Sequence, residues 1–371
     1  MSQTLQVGSY TLHIGEELLD ASFLVTRYPI LQTKRLAIIT DSHLVDTYGK
    51  ALRQQFTTLG LSAELLSFSA GEAHKTRETK QQLEDTLLSK QFGRDSCLFA
   101  LGGGVVNDMV GFLAATYCRG VPAFYLPTTL LAMIDASIGG KTGVNTPLGK
   151  NLIGSITQPH AVVMDIQTLK TLPLPEWRNG IAEMIKHSFI ANADLFTGLQ
   201  QSASPHACTD PATLITLIYQ NCLIKKTIVE QDEFEQGLRQ LLNFGHTIGH
   251  AVETLENYKI GHGEAVAMGM LVECHLAVQA GHLEAHVVTT LEETLRAYGL
   301  PLTTQVFQDK ATFVQALILD KKSIQKAPRF VLLETIGCPH YANGQYAHPV
   351  LSEYLDAALE WANERFYKAG A

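Results

Sequence analysis

SCLFALGGGVVNDMVG, residues 96–111, is the stretch from which the fold is read. Ser96 to Leu101 is short, apolar and uncharged, the pattern of a strand buried on both faces of a parallel sheet. It runs straight into Gly102, Gly103 and Gly104, and a helix is expected to begin near Val106. Glycines placed directly after a strand let the backbone approach a phosphate, and the following helix offers its N-terminal N–H groups and positive dipole end. The spacing departs from the usual dinucleotide fingerprint, because Asn107 stands where a third glycine would be. Taken alone, the run fits either a phosphate cradle or a tight strand-to-helix turn.

On either side lie four more strand patterns: Arg35–Thr40, Ala63–Phe68, Ala123–Leu126 and Ala161–Asp165. Thr76–Lys90 reads as a helix, with Leu83, Leu87 and Leu88 on one side. Strands alternating with helices imply a parallel sheet wrapped by helices. Asp41 closes the first of these strands, where a carboxylate accepts hydrogen bonds either from ribose hydroxyls or from a helix N-terminus. Gly71–Lys75, with Glu72 inside it, follows the second strand and reads as a nucleotide contact or a polar loop. The pattern changes at Pro173 and Pro175. Beyond them come long helical stretches: Glu176–Ala191, Pro211–Glu230, Thr247–Glu256, Glu264–Ala280, His286–Tyr298 and His348–Phe366. The expected division is therefore an α/β domain over 1–172 and a helical domain over 173–371, with a site in the cleft between them.

Composition narrows the function classes. The chain has 371 residues, 46% of them apolar, with 36 acidic and 28 basic side chains and a net charge of -8. The apolar content excludes a disordered chain, and the acidic balance argues against nucleic-acid binding, which needs surplus Lys and Arg. The most apolar window, Gly120–Ile134, is bracketed by Arg119 and Asp135 and interrupted by Pro122 and Pro127. It falls short of the roughly 20 apolar residues of a membrane span. No secretory signal is visible at the N-terminus. Six cysteines (Cys97, Cys118, Cys208, Cys222, Cys274, Cys338) without a C-x-x-C spacing are expected as buried thiols in a reducing cytosol.

Several charged groups stand in apolar, glycine-rich surroundings. Arg119–Asn151 carries Thr128, Thr129, Asp135, Lys141, Asn145, Lys150 and Asn151. Its two lysines and its arginine suggest an anion pocket, or else solvated loop lysines. Farther on, Glu183 and Lys186 lie three apart on one helical face among aliphatics. His246 and His250 lie four apart, and His262 sits between two glycines before a helix. One Glu with two or three His suits a divalent metal such as zinc, which in catalytic sites takes three protein ligands; a further His nearby could relay protons. Lys225-Lys226, Asp232-Glu233 and Asp320-Lys321-Lys322 read as solvated charge clusters or as site lysines, and Arg239 as a bidentate anion contact.

The ordered set GEAHK, GGGVVND, YCRG, LPTTLLAMIDASIGGKTGVNTPLGKN, GIAEMIKH, GLRQLLNFGHTIGHAVE and HGEAVAMGM resembles the 3-dehydroquinate synthase family of sugar phosphate cyclases over roughly residues 35–335. The resemblance implies a Rossmann-like α/β N-terminal domain, an all-α C-terminal domain, tightly held NAD, and a divalent metal, zinc or cobalt, on Glu183, His246 and His262. It implies NAD contacts from Asp41, Glu72, Lys75, Gly103, Gly104, Val105, Asp108, Thr128, Thr129, Asp135, Lys141 and Lys150. It implies catalytic and substrate contacts from Lys141, Asn151, Lys186, Lys225, Arg239, Asn243, His250 and one of Lys321 and Lys322. Arg119 matches an arginine that the family lends to the neighbouring subunit, so a cytoplasmic homodimer is expected, with no nucleic-acid or membrane partner. The implied substrate is a phosphorylated sugar acid, 3-deoxy-D-arabino-heptulosonate 7-phosphate. Its conversion to 3-dehydroquinate and phosphate runs through transient oxidation by NAD, β-elimination, reduction and an intramolecular aldol closure in the shikimate pathway. The alternatives are another sugar phosphate cyclase, a metal-dependent polyol dehydrogenase, or an inactive NAD-binding regulator.

Overall fold

In the computed structural model, which describes residues 2–203, 210–319 and 328–367, the chain forms two compact units. One runs to Leu172 and takes in Asp210–Lys226; the other begins at Pro173 and resumes at Thr227.

The first unit is built on a seven-stranded sheet. Its strands are β1 (Ser2–Val7), β2 (Tyr10–Gly15), β3 (Arg35–Asp41), β4 (Ala63–Phe68), β5 (Ser96–Gly102), β6 (Ala123–Pro127) and, after a separate hairpin of β7 (Lys141–Thr146) and β8 (Gly149–Ile156), β9 (Ala161–Asp165). The order across the sheet is β1-β2-β9-β6-β5-β3-β4. Only the β1–β2 pair is antiparallel; the other pairings in this sheet are parallel. Between strands run α1 (Ala21–Arg27), α2 (Lys50–Thr58), α3 (Arg77–Ser89) and α4 (Gly104–Thr116). β5 is buried at each of its seven positions. Its Phe99 ring lies 5.4 Å from Phe56 on α2 and 5.3 Å from Phe124 on β6. Full burial of such a side chain contributes about 1.5–3 kcal/mol.

Counted from β3, the strand order is of the 2-1-3-4-5 type, and it reverses between β3 and β5. Ligands of such sheets bind outside the carboxyl ends of the strands at this switch point. Here β3 ends at Asp41 and β5 at Gly102.

Two hairpins were absent from the expectation. In β7–β8, Gly143 faces Gly154, and a Cβ on Gly154 would lie 1.9 Å from the Thr142 carbonyl oxygen. Leu152, Ile153 and Ile156 of β8 are all exposed, so no alternation of apolar and polar residues marks this strand.

The second unit holds α5 (Leu174–Ala191), α6 (Ala193–Gln201), the end of α7 (Pro211–Gln231), α8 (His246–Leu255), α9 (His262–Gln279), α10 (Ala285–Ala297), α11 (Lys310–Leu319) and α12 (Ser352–Phe366). Two departures from expectation concern its make-up. Residues 210–226 group with the first unit, because Cys222 and Lys225 bond Met133 and Asp135 there. The second unit is also not wholly helical: Phe330–Val331 pairs with Ala347–His348, and Leu333–Thr335 with Cys338–Pro339. The cysteines depart in part as well. Cys97, Cys222 and Cys274 are buried thiols, but Cys118 is half-buried and Cys338 exposed. Cys338 stands in a short surface ribbon with no core to cover it. Cys208 lies outside the described residues, as do Lys321 and Lys322. Among the described residues no helix is long and apolar enough to cross a membrane.

Candidate active site

At the carboxyl edge of the sheet, the three glycines sit in tight space, tightest at Gly102. A Cβ on Gly102 would lie 2.5 Å from Val106 Cγ2, one on Gly103 3.1 Å from Thr129 Cγ2, and one on Gly104 3.3 Å from the Ala136 Cβ. Gly103 is the N-cap of α4, so the helix starts two residues before Val106 and exposes its first-turn N–H groups, Val105 among them, at the switch point. The third glycine missing at Asn107 has a counterpart one turn later. A Cβ on Gly111 would lie 2.2 Å from Tyr125 Oη, so Gly111 is what lets α4 lie flush on β6. The Thr128 N–H donates to the Gly102 carbonyl at 3.1 Å, and Thr129 Oγ1 accepts from the Ala132 N–H at 3.1 Å. Asp41 Oδ1 accepts from the His43 N–H at 2.9 Å, which closes a local turn.

A polar network lies on the same unit. Lys75 is 3% exposed, and its ammonium bonds Asp108 and, at 2.6 Å, Asn151 Oδ1. Asn145 Nδ2 donates to Glu72 Oε1 at 2.7 Å, while its Oδ1 accepts from the Asn151 N–H at 3.0 Å. Burial works against the Lys75 ammonium, but Asp108 and then Glu72 outweigh it and hold its pKa above the usual lysine value. Burial pushes the Asp108 carboxyl above the carboxylate range, with Lys75 pulling it back in part. Four expected site residues (Glu72, Lys75, Asp108, Asn151) are thus joined, with Asn145 as the hub that no role had been assigned to. Lys141 is exposed at the start of β7, and Lys150 is half-buried beside Asn151. Lys225 donates to the Asp135 carbonyl at 2.5 Å and to its Oδ1 at 2.6 Å. Arg119 is exposed, with φ +69 in a short turn between Cys118 at φ +50 and Gly120 at φ +113.

In the second unit, Pro173 and Pro175 open α5, where their fixed φ is compatible with a first turn. Every residue of α5 from Asn179 to Ile190 is buried, including Glu183 and Lys186. Asn179, one turn before Glu183, accepts the Gly263 N–H at 2.9 Å and so ties the start of α9 to α5. A Cβ on Gly263 would lie 2.5 Å from the Asn179 Cα. Glycines also let α8 lie on α9: a Cβ on Gly269 would lie 1.9 Å from the Gly245 carbonyl oxygen, and one on Gly249 3.2 Å from the Ala265 backbone. Gly245, at φ +77, caps α8 in a left-handed conformation that few other residues adopt.

These close approaches bring the first residues of α8 and α9 to Glu183. His246 Nε2 and His262 Nε2 each lie 3.5 Å from Glu183 Oε1. The other nitrogen of each ring is engaged elsewhere, His246 Nδ1 with the Phe244 carbonyl at 3.2 Å and His262 Nδ1 with Glu253 Oε2 at 3.4 Å. Glu183 Oε2 faces the Lys186 ammonium, which also donates to the Leu242 carbonyl at 2.9 Å. Ligand atoms on a tetrahedral ion with bonds of 2.0–2.2 Å stand about 3.3–3.6 Å apart, so the observed spacing fits a divalent cation. Burial lowers the His262 pKa, but Glu253 and Glu183 overcome this and raise it to about 10. The field here favours positive charge. The His250 ring stands edge-on to His246 at 5.4 Å. His187, fully buried with Nε2 4.0 Å from Glu183 Oε2, was not singled out from the sequence. Neither was Glu253, whose signal was its place seven residues after His246 on one helix.

Arg239 is 2% exposed. Its Nη1 donates to the Glu233 carbonyl at 2.6 Å, and its N–H to Asp232 Oδ2 at 3.0 Å. Burial opposes the Asp232 carboxylate, but the N–H groups of Gln236, Gly237 and Arg239 hold its pKa below the usual range. Asn243 Nδ2 donates to Glu235 Oε1 at 2.5 Å. The Asp232-Glu233 pair, read as a solvated cluster, therefore orients the arginine.

Solved structures of sugar phosphate cyclases share the fold. A 2-deoxy-scyllo-inosose synthase, complexed with carbaglucose-6-phosphate, NAD+ and Co2+, is 25% identical with a TM-score of 0.89 over 97% of this chain and 99% of that one. The 2-epi-5-epi-valiolone synthase of Streptomyces hygroscopicus, with NAD+ and Zn2+ bound, is 28% identical with a TM-score of 0.86 over 98% and 99%. The 3-dehydroquinate synthase N-terminal and C-terminal family models match residues 65–179 and 180–323. A 3-dehydroquinate synthase of Synechococcus is 46% identical over 82% of this chain and 83% of its own. The chain belongs to the 3-dehydroquinate synthase family, and is thereby a phosphate-eliminating lyase that forms 3-dehydroquinate.

Proposed function

We propose that the chain performs this conversion with NAD held by the first unit and with a zinc or cobalt ion and the sugar phosphate held by the second. The observation that carries the reading is the meeting of Glu183 Oε1 with the Nε2 atoms of His246 and His262, both at 3.5 Å. Solved relatives that hold NAD+ together with Co2+ or Zn2+ support the cofactor pair. When bound, NAD supplies a hydride acceptor that is restored within each turnover, and the cation supplies Lewis-acid polarisation of substrate oxygens.

The chain's own groups divide the remaining work. The Gly103–Val105 N–H groups would hold the NAD pyrophosphate, with Thr128 and Thr129 closing the turn beside them, and Asp41 would accept from ribose hydroxyls. Lys75, already neutralised by Asp108, holds the Asn151 side chain at a fixed position near the substrate phosphate. Lys186 and Arg239, buried and pinned by the Leu242 and Glu233 carbonyls, present fixed positive charge to an anionic substrate. Lys225, Lys141 and Asn243 are further substrate contacts, the lysines through charge and Asn243 through its amide, and Lys150 is an NAD contact. His250, one turn beyond His246, takes a proton on a ring nitrogen and returns it. Arg119, exposed in its left-handed turn, is suited to reach a second copy in a homodimer. We place the activity in the cytosol.

The test is to supply the protein with NAD, Zn2+ or Co2+ and the heptulosonate phosphate. Phosphate release matched by 3-dehydroquinate, with no net NADH, is expected. Net NADH with retained phosphate would instead mark a polyol dehydrogenase, and turnover of a heptulose phosphate lacking the carboxylate would mark another cyclase.

A further inference from the structure

The two imidazoles that face Glu183 are held from behind by different partners. His246 Nδ1 meets a neutral backbone carbonyl, that of Phe244, whereas His262 Nδ1 meets a carboxylate, that of Glu253. Glu253 is 4% exposed, among the buried Ile248, Ala251 and Val252 of α8. A carboxylate so enclosed is costly unless hydrogen-bonded. It stands seven residues after His246, which returns it to the same side of the helix. Its backbone is fixed as well, since its carbonyl accepts from the Tyr258 N–H at 2.8 Å where α8 ends.

We propose that Glu253 is a positioning residue for the cation: its carboxylate fixes which nitrogen of His262 faces Glu183. The proposal rests on the reading that Glu183, His246 and His262 hold a divalent ion. His262 is then set from two directions. Asn179 holds the backbone next to it by accepting the Gly263 N–H, and Glu253 holds its ring. A carboxylate behind a ligating histidine fixes the tautomer and raises its basicity, and loss of such a partner typically costs 10–100-fold in metal affinity.

The experiment measures Zn2+ affinity of chelator-stripped protein by competition with a chromophoric chelator, for the wild type, Glu253→Gln and His246→Ala. The melting curve of each stripped protein is recorded alongside. Glu253→Gln is expected to melt like the wild type, to bind Zn2+ about 10–100-fold more weakly, and to shift the absorption bands of the Co2+ form. A loss below about tenfold in Glu253→Gln, with His246→Ala losing far more, overturns the positioning role and leaves the cation site intact. Wild-type affinity in His246→Ala overturns the cation site itself. Should Glu253→Gln fail to fold, the wild type decides: NMR of Zn2+-loaded protein carrying 15N-labelled histidine should show His262 protonated on Nδ1 and metal-bound through Nε2. The reverse assignment overturns the proposal.

Discussion

Each unit contains a buried carboxylate with a lysine against it, and the two clusters are completed differently. Around Lys75, every named acceptor meets a donor from the chain: Asp108 and Asn151 face the ammonium, and Glu72 faces Asn145. Around Glu183, Lys186 covers one oxygen, while the other faces two imidazole nitrogens, with a second carboxylate, Glu253, behind one of them. His262 stands between the two carboxylates, and they raise its pKa to about 10. The first cluster closes on ammonium and amide donors. The second turns two imidazole nitrogens to one carboxylate oxygen, a donor set suited to a divalent cation.

The largest expected effect breaks the second cluster. His246→Ala removes a ligand. Since losing a partner behind a ligand costs 10–100-fold in metal affinity, losing the ligand should cost more than about a hundredfold, and turnover should fall with the bound metal. Metal content and phosphate release measured on one preparation check this. Near-wild-type turnover with metal retained would sink the assignment. Breaking the first cluster should act on stability as well as on the position of Asn151. Lys75→Met leaves Asp108 enclosed without its ammonium, and removal of one partner of a buried pair costs about 3–5 kcal/mol. The lower end is expected, because the Asp108 side chain keeps 18% of its surface exposed. Adding Asp108→Asn should recover part of the loss in urea unfolding. If the double variant is no better than Lys75→Met, the pair does not act as a unit.

How far each cluster could be read from the sequence follows from the range of its contacts. Glu183, His246 and His262 were legible because each sits in a local pattern, a helical spacing or a glycine-flanked histidine, that points to chemistry before any fold is known. Asn145 was not, because its partner Glu72 lies 73 residues away and no local pattern marks an amide as a hub; Glu253 had only its heptad spacing from His246, which core residues share. The parallel strands were legible as short apolar runs, whereas β8, with exposed apolar residues at successive positions, carries no period-2 signal. The departure at Asn107 was legible as an anomaly but not its resolution, since only packing shows that Gly111 brings α4 onto the sheet. Gly111→Ala should therefore cost about 1–3 kcal/mol by overpacking. Adding Tyr125→Phe removes the oxygen 2.2 Å from the new Cβ but leaves Thr142 Cγ2 at 2.4 Å, so it should restore only part of the loss in the same unfolding assay. A Gly111→Ala protein as stable as the wild type would show that the close approach is not required.

The smallest expected effect contrasts two enclosed histidines. His262 lies between carboxylates and is raised; His13, 5% exposed, lies beside Tyr28, with Nε2 2.7 Å from the phenol oxygen, and against the edge of Phe23. Burial, with the positive charge of Arg27 adding to it, lowers the His13 pKa below its ordinary value of 6.5. A histidine whose folded pKa lies below the unfolded one binds fewer protons in the native state across that window. Its contribution is fully present above about pH 6.5 and is lost as pH falls through the lower folded value. The wild type should lose urea stability between pH 7.5 and pH 5, and His13→Gln should lose less over the same interval, since glutamine keeps a polar group near Tyr28 without the titration. Equal pH dependence in the two proteins would mean that His13 does not stay neutral in the fold. The contrast between an imidazole kept neutral by aromatic neighbours and one kept positive by carboxylates would then no longer separate the two units.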